Sequence, residues 1–156
     1  MNDVLPSIIQ LLTTAHVAFT ESVHEPVTTS EHAARVRGTT IESGAKAIVV
    51  KTDTSFVMLV LSANKKLDSK KTKELLKSKT LRFATSQELM TITHCEPGAV
   101  PPFGMLFGLA VYADTSLLDQ EVINFNAGRT DTSIAMKRED YVNLVHPVVG
   151  DFSKYS

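Results

Sequence analysis

A lysine at the mouth of an apolar run and a glycine–proline turn well downstream are the two features whose groups could act on a chemical bond. The run Gly44-Ala45-Lys46-Ala47-Ile48-Val49-Val50 sets one ammonium group, that of Lys46, at the start of an otherwise apolar strand. The later segment Cys95-Glu96-Pro97-Gly98-Ala99-Val100-Pro101-Pro102-Phe103-Gly104 reads as a stiff turn. There glycine bares backbone N–H groups and the prolines restrict the backbone. A cation beside exposed amides is what a developing oxyanion, or a phosphate-linked ligand, requires. Both features also have a plain reading. A strand-end lysine commonly snorkels to water, and spacing alone favours that outcome; a glycine–proline turn commonly does no more than join a helix to a strand. On a strand, Lys46 shares a face with Ile48 and Val50, while Ala47, Val49 and Lys51 share the other. Because both faces read as buried, parity leaves the direction of Lys46 open.

Other residue types narrow the chemistry. Cys95 lies close to the turn, yet only His94 stands beside it, and a lone cysteine is usually an inert packed residue. His16, His24, His32, His94 and His146 show no metal-ligand spacing, so no metal and no cofactor is expected. There is no Gly-x-Ser-x-Gly elbow and no Walker or Rossmann glycine pattern, which counts against serine-hydrolase chemistry, ATP hydrolysis and hydride transfer. The polar stretch Asn124-Phe125-Asn126-Ala127-Gly128-Arg129-Thr130-Asp131-Thr132-Ser133 could line a site through Asn126 and Asp131. Equally, Asn, Gly and Asp are the residues a tight hairpin uses for its own backbone. Of the 16 Lys and Arg residues, eight fall between Lys65 and Arg82, opposed only by Asp68 and Glu74. Lys66, Lys70, Lys73 and Lys77 step by four, three and four, the spacing of one helical face. Such a stripe is commonly a solvated face, but it could also track a phosphate backbone.

The elements that must position these groups follow from periodicity. Leu5, Ile8, Ile9, Leu11, Leu12 and Ala15 recur with helical spacing, and Pro6 suits a first turn. Val17 to Val23 reads as a strand. Thr28 and Glu31 stand at capping-box spacing for a helix that Gly38 ends. Ala47–Lys51 and Ser55–Ala63 read as two strands in the middle of a sheet, buried on both faces. A helix is expected over Asp68–Lys79 and a short one from Ser86 to Met90. Strands are expected at Leu109–Tyr112, Glu121–Asn126 and Thr132–Met136, and a last helix from Arg138 to before Pro147. At 156 residues, with 43% apolar and 21% charged residues, the chain has the makings of one globular domain spanning residues 1–156. Strands and helices mix without a βαβ rhythm, which predicts an α+β fold on a mixed, largely antiparallel sheet. The net charge of −1 is not that of a polycation. A single cysteine fits a reducing compartment. Met1 to Thr20 has no basic start, and the longest apolar run, Phe56 to Leu61, is too short to cross a bilayer. A cytoplasmic protein, with no membrane partner, is expected.

These residues together resemble a known family. His24-Glu25-Pro26, Arg35-Val36-Arg37-Gly38, and Gly44-Ala45-Lys46-Ala47 before an apolar strand are similar to the YbaK/prolyl-tRNA-synthetase-associated domain family. Gly98-Ala99-Val100-Pro101-Pro102-Phe103 resembles its Gly-x-x-x-Pro loop. Phe125-Asn126-Ala127-Gly128, Asp131, Ser133 and Asp140-Tyr141 continue the likeness, which runs from about Leu5 to Phe152 and is closest to the YeaK-like branch. That branch includes free-standing ProX-type editing proteins for seryl- and threonyl-tRNA. The resemblance implies a partly barrel-like, YbaK-like fold and a trans-editing deacylase that hydrolyses the ester of mischarged tRNA without a metal. It implies that Lys46 orients the substrate, that Gly98, Ala99, Val100 and Pro102 form the loop around the ester carbonyl, and that water, assisted by the ribose hydroxyl, attacks. His24, Ala47, Asn126 and Asp131 would border the substrate pocket. Lys66, Lys70, Lys73 and Lys77 would meet tRNA, with an aminoacyl-tRNA synthetase as a further partner. Alanine-specific members resemble a pattern with asparagine after the lysine, where this chain has Ala47, and histidine where it has Asn126. Removal of a small amino acid (serine, threonine or alanine) is therefore expected rather than strict alanyl-tRNA(Pro) specificity. The alternative is a non-catalytic tRNA- or synthetase-binding module of the same fold.

Overall fold

This computed structural model describes residues 3–156. In chain order the elements are α1 (Leu5–Thr14), β1 (Phe19–Val23), α2 (Ser30–Arg37), β2 (Ala45–Lys51), β3 (Phe56–Ser62), β4 (Lys65–Leu67), α3 (Ser69–Leu76) and β5 (Arg82–Phe83). They continue with α4 (Ser86–Thr93), a 3-10 turn (Gly104–Phe107), β6 (Val111–Asp114), α5 (Thr115–Leu118), β7 (Val122–Asn126), β8 (Thr132–Lys137), α6 (Arg138–Val145), β9 (Val148–Gly150) and β10 (Ser153–Tyr155).

The apolar runs of β2 and β3 pair antiparallel, from Ala45 opposite Ser62 to Lys51 opposite Phe56. They lie inside a five-stranded sheet of order β5-β2-β3-β6-β9, in which β6 runs parallel to β3 and β9 parallel to β6. Both faces of this pair are covered, as their unbroken hydrophobicity demands. Ala45 and Val49 face the main core with Phe103, Phe125 and Tyr141, whereas Val50, Leu59 and Leu61 face a second cluster around Phe152. A separate antiparallel sheet, β1-β8-β7, is joined to the first by one parallel bridge, Gly44 to Asn124. β4 and β10 form a two-stranded ribbon beside them. The result is the expected α+β fold on mixed, largely antiparallel sheets.

Several local expectations are corrected. Thr29, not Thr28, caps α2, because its hydroxyl accepts the His32 amide at 3.1 Å. The capping box belongs instead to α4, where Thr85 and Glu88 exchange both bonds and the helix runs on to Thr93. α3 stops at Leu76 and Lys77 turns left-handed, because Asp53 captures the next amides: Lys79 N–H at 2.8 Å and Thr80 N–H at 2.9 Å. Lys66 lies on β4 and Lys77 at the cap, so the helical lysine stripe is reduced to Lys70 and Lys73. The short strands β4, β5, β9 and β10 were not legible, since two or three residues carry no period of their own. Among the described residues no helix is long and apolar enough to cross a membrane.

Candidate active site

A cleft of ≈ 240 Å³ opens between α2 and the first half of β2. It exists because β5 pairs with β2 only at Val50 and Lys51, which leaves the earlier part of that strand edge without a neighbour. On this edge the Val49 carbonyl accepts the Ala84 amide at 2.9 Å. Main-chain groups alternate sides along a strand, so those of Ala47 point the same way, toward the open edge. Gly44 lets the chain enter here: a Cβ on it would lie 2.9 Å from the Ala63 Cβ and 3.2 Å from the Ile41 carbonyl oxygen.

Lys46 lines this cleft together with Ala47, Gly98, Val100 and Asn126, so the structure brings the strand-start lysine and the proline-braced loop to one space. Alternation along β2 settles the parity question: Lys46 shares the face of Ile48 and Val50, above the second cluster. Its ammonium donates to the Lys65 carbonyl at the start of β4, and no bond to the 98–102 loop is present. Burial pushes the Lys46 ammonium below the usual lysine range, and the carboxylate of Glu31 partly offsets that.

The loop is rigid and tied at both ends. Gly98 adopts a φ of 86°, which a side chain would strain. Tyr141 donates its hydroxyl to the Pro102 carbonyl at 2.6 Å, and burial raises that phenol so that it stays a neutral donor. Phe103, fully buried, meets Phe125 and Tyr141 edge-on at 5.4 and 5.6 Å. Each such pair adds about 0.5–1.5 kcal/mol beyond its buried area. The Ala99 amide is spent on the Glu96 carbonyl (3.0 Å) and its carbonyl on the Gly128 amide (2.9 Å), so Ala99 braces the loop instead of donating from it. The amides of Gly98 and Val100 have no acceptor among the described residues, and both residues line the cleft. They are the donors the loop can offer.

Sequence reasoning missed the residue that wires these parts together. Arg37, in the last turn of α2, donates to Ser133 Oγ at 2.8 Å, Asn124 Oδ1 at 2.7 Å and Asn126 Oδ1 at 2.8 Å. Burial lowers its pKa to about 10, so it remains a cation at neutral pH. Asn126 in turn donates its amide to the Gly98 carbonyl at 2.8 Å. His24 completes the chain: its Nδ1 donates to the Glu25 carbonyl, which can only accept, at 2.7 Å, and its Nε2 lies 2.7 Å from the Ser133 hydroxyl. His24 thus acts behind the cleft wall. The signal available in sequence is Arg37 itself, within Arg35-Val36-Arg37-Gly38.

The remaining candidates are placed as follows. Asp131 lies outside the cleft, on a second groove with Arg129, His94 and Cys95, and accepts from the Thr132 hydroxyl at 3.0 Å. Pro102 is not among the residues that line the cleft, and its carbonyl accepts from the buried Tyr141 hydroxyl. Cys95 is buried, and burial pushes its thiol up, as an inert packed residue requires. Lys66, Lys70 and Lys77 are exposed and Lys73 half-buried. Among the described residues no group of three or more His, Cys, Asp or Glu side chains is placed to hold a metal ion.

Lys46, Gly98 and Val100 thus line one small cleft, and an ammonium and main-chain amides are groups that can polarise a carbonyl and stabilise the charge that develops on it. Residues 24–144 match the model of the aminoacyl-tRNA editing domain, and the chain belongs to that family. The Multifunctional Ser/Thr-tRNA deacylase ProXp-y of Escherichia coli (strain K12) is 30% identical, over 94% of this chain and 91% of its own length. A proline--tRNA ligase of Bacillus licheniformis is 30% identical over 71% of this chain, a stretch that makes up 20% of that longer protein. Among solved structures, a proposed trans-editing enzyme for prolyl tRNA synthetase shares the fold with a TM-score of 0.85 at 22% identity, over 99% of both chains.

Proposed function

We propose that this protein is a trans-editing deacylase that hydrolyses the ester joining a small amino acid (serine, threonine or alanine) to the 3′ end of tRNA. The observation that carries the reading is the shared cleft of Lys46, Gly98 and Val100 in a chain of the editing-domain family. At ≈ 240 Å³ the cleft suits a small aminoacyl group. Water attacks the acyl carbon, and the carbonyl oxygen becomes an oxyanion that accepts from the Gly98 and Val100 amides. The C–O bond to the ribose then breaks, and the departing ribose oxygen takes a proton. Lys46 orients the substrate, exchanging the Lys65 carbonyl for an oxygen of the aminoacyl ester. The open edge at Ala47 offers one N–H and one C=O to any amino acid, whatever its side chain. Telling serine from threonine or alanine then rests on the pocket walls, where one methylene is worth about 1–3 kcal/mol.

The test is deacylation of a panel of aminoacyl-tRNAs by the wild type and by Lys46→Ala. Turnover of the seryl, threonyl or alanyl esters that disappears in the variant, with the melting temperature little changed, supports the reading. Hydrolysis confined to cysteinyl-tRNA(Pro), or turnover that survives the loss of Lys46, overturns it. Binding of tRNA without any turnover would leave a binding module.

A further inference from the structure

The β4–β10 ribbon sets like charges against each other. In its antiparallel register Lys66 stands directly opposite Lys154, both exposed. Like charges at facing positions destabilise a strand pair. Neither lysine, nor Lys70 at the second position of α3, makes an ion pair with an acid among the described residues. The one acid whose field Lys154 clearly meets, Asp68, is spent capping α3 through the Lys71 amide. Lys71 itself is engaged by Asp151 at 3.3 Å. The opposite face of the ribbon is unlike this one. There the Lys65 ammonium sits over the Tyr155 ring at 3.4 Å, beside a groove where Glu42, Asp119 and Asp151 stand among Lys65, Lys71 and, at its rim, Lys154. In that groove acids and lysines are interleaved, whereas Lys66 and Lys154 face each other with no ion pair and only the field of Asp68 nearby.

The ribbon also abuts the cleft. β4 begins at Lys65, whose carbonyl holds the Lys46 ammonium, so the opposed pair starts one residue from the anchor of that side chain. We propose that the Lys66–Lys154 face, extended by Lys70, binds the phosphates of the RNA strand whose 3′ end enters the cleft. The RNA then crosses the ribbon and skirts the start of α3, and Lys73 and Lys77 lie off its path. This placement rests on the deacylase reading for the identity of the RNA, and its own test is independent of turnover.

Equilibrium binding of uncharged tRNA is measured across a salt series for the wild type, Lys66→Gln/Lys154→Gln and Lys73→Gln/Lys77→Gln. The ribbon double variant is expected to flatten the slope of log K against log salt by about 1.4, or 0.7 for each single-strand phosphate contact removed. Its melting temperature is expected to hold or rise, because a repulsion has been relieved. The Lys73/Lys77 variant, with the same charge removed, is expected to keep the wild-type slope. Equal changes in both variants, or no change in the ribbon variant, overturn the proposal; the latter result would leave this face to a protein partner. Aminoacyl-tRNA deacylation is assayed separately: a wild type with no turnover defeats the deacylase reading, whereas the binding slopes decide the RNA path either way.

Discussion

Asn126→Asp separates the tether of the amide-bearing loop from the packing beneath it. The aspartate keeps the shape of the side chain and an oxygen for Arg37, which lies 2.8 Å from Oδ1. It replaces the amide donor, 2.8 Å from the Gly98 carbonyl, with a second oxygen. The contact with Arg37 becomes an ion pair, so the fold keeps its stability or gains some. Gly98 is exposed, so its released carbonyl is hydrated and not orphaned. What is lost is then the net worth of one hydrogen bond, about 0.5–1.5 kcal/mol. If that bond holds the Gly98 and Val100 amides in register with the oxyanion, kcat falls about 2- to 12-fold. Repulsion between the two facing oxygens pushes the loss toward the upper end. Saturation kinetics of aminoacyl-tRNA deacylation, run beside a thermal melt, give the readout. We expect kcat near a tenth of wild type, KM within about twofold, and Tm no lower. An unchanged kcat, or a fall in kcat matched by a fall in Tm, would refute the chain Arg37–Asn126–Gly98 as a positioning device.

Further expectations concern the same frame. Tyr141→Phe strips the buried Pro102 carbonyl of its donor and should cost about 1–3 kcal/mol in urea unfolding, with kcat reduced as the loop loosens. Gly98→Ala meets no atom within 4 Å, so its penalty is the left-handed backbone alone, about 1–2 kcal/mol; a loss of turnover larger than the loss of stability is expected. Glu88, held by Arg82 and the Thr85 amide, is lowered from 4.5 to about 2, and Asp53, held first by the Thr80 hydroxyl and then the Lys79 amide, is lowered from 3.8 to about 2. Both contribute stability that is present above pH 4.5 and is lost as pH falls toward about 2. Glu88→Gln should shrink that acid sensitivity in denaturant midpoints taken across the interval; an identical pH profile would contradict it.

How much of this was legible in the chain depended on the reach of the interactions. The central strands declared themselves through unbroken apolar runs, and Gly38 ended α2 with a left-handed φ of 71°, as its position suggested. Residue type and family likeness single out Lys46 and the Gly98–Pro102 loop; of these, Lys46, Gly98 and Val100 line one cleft, and Ala99 and Pro102 do not. The role of Arg37 is not legible in its own segment, because its partners Asn124, Asn126 and Ser133 arrive from β7 and β8, far along the sequence. The lysine stripe failed for a local reason with a distant cause. Asp53 ends α3 early, and pairing with β10 takes Lys66 out of helical geometry altogether. Periodicity reads elements that carry their own pattern; it is blind to strands of three residues held by a remote partner.

The two walls of the cleft belong to different sheets. Lys46 rides on the five-stranded sheet and Asn126 on the three-stranded one, and one backbone bridge, Gly44 to Asn124, stitches them at the strand level. With so few main-chain bonds at the seam, the width of the cleft depends on the shared core beneath it, Ala45 and Val49 packed with Ile123, Phe125 and Ile134. Warming should therefore dim turnover before any melting is seen, and a disulfide or a larger side chain laid across that stitch would trade catalytic adaptability for heat tolerance.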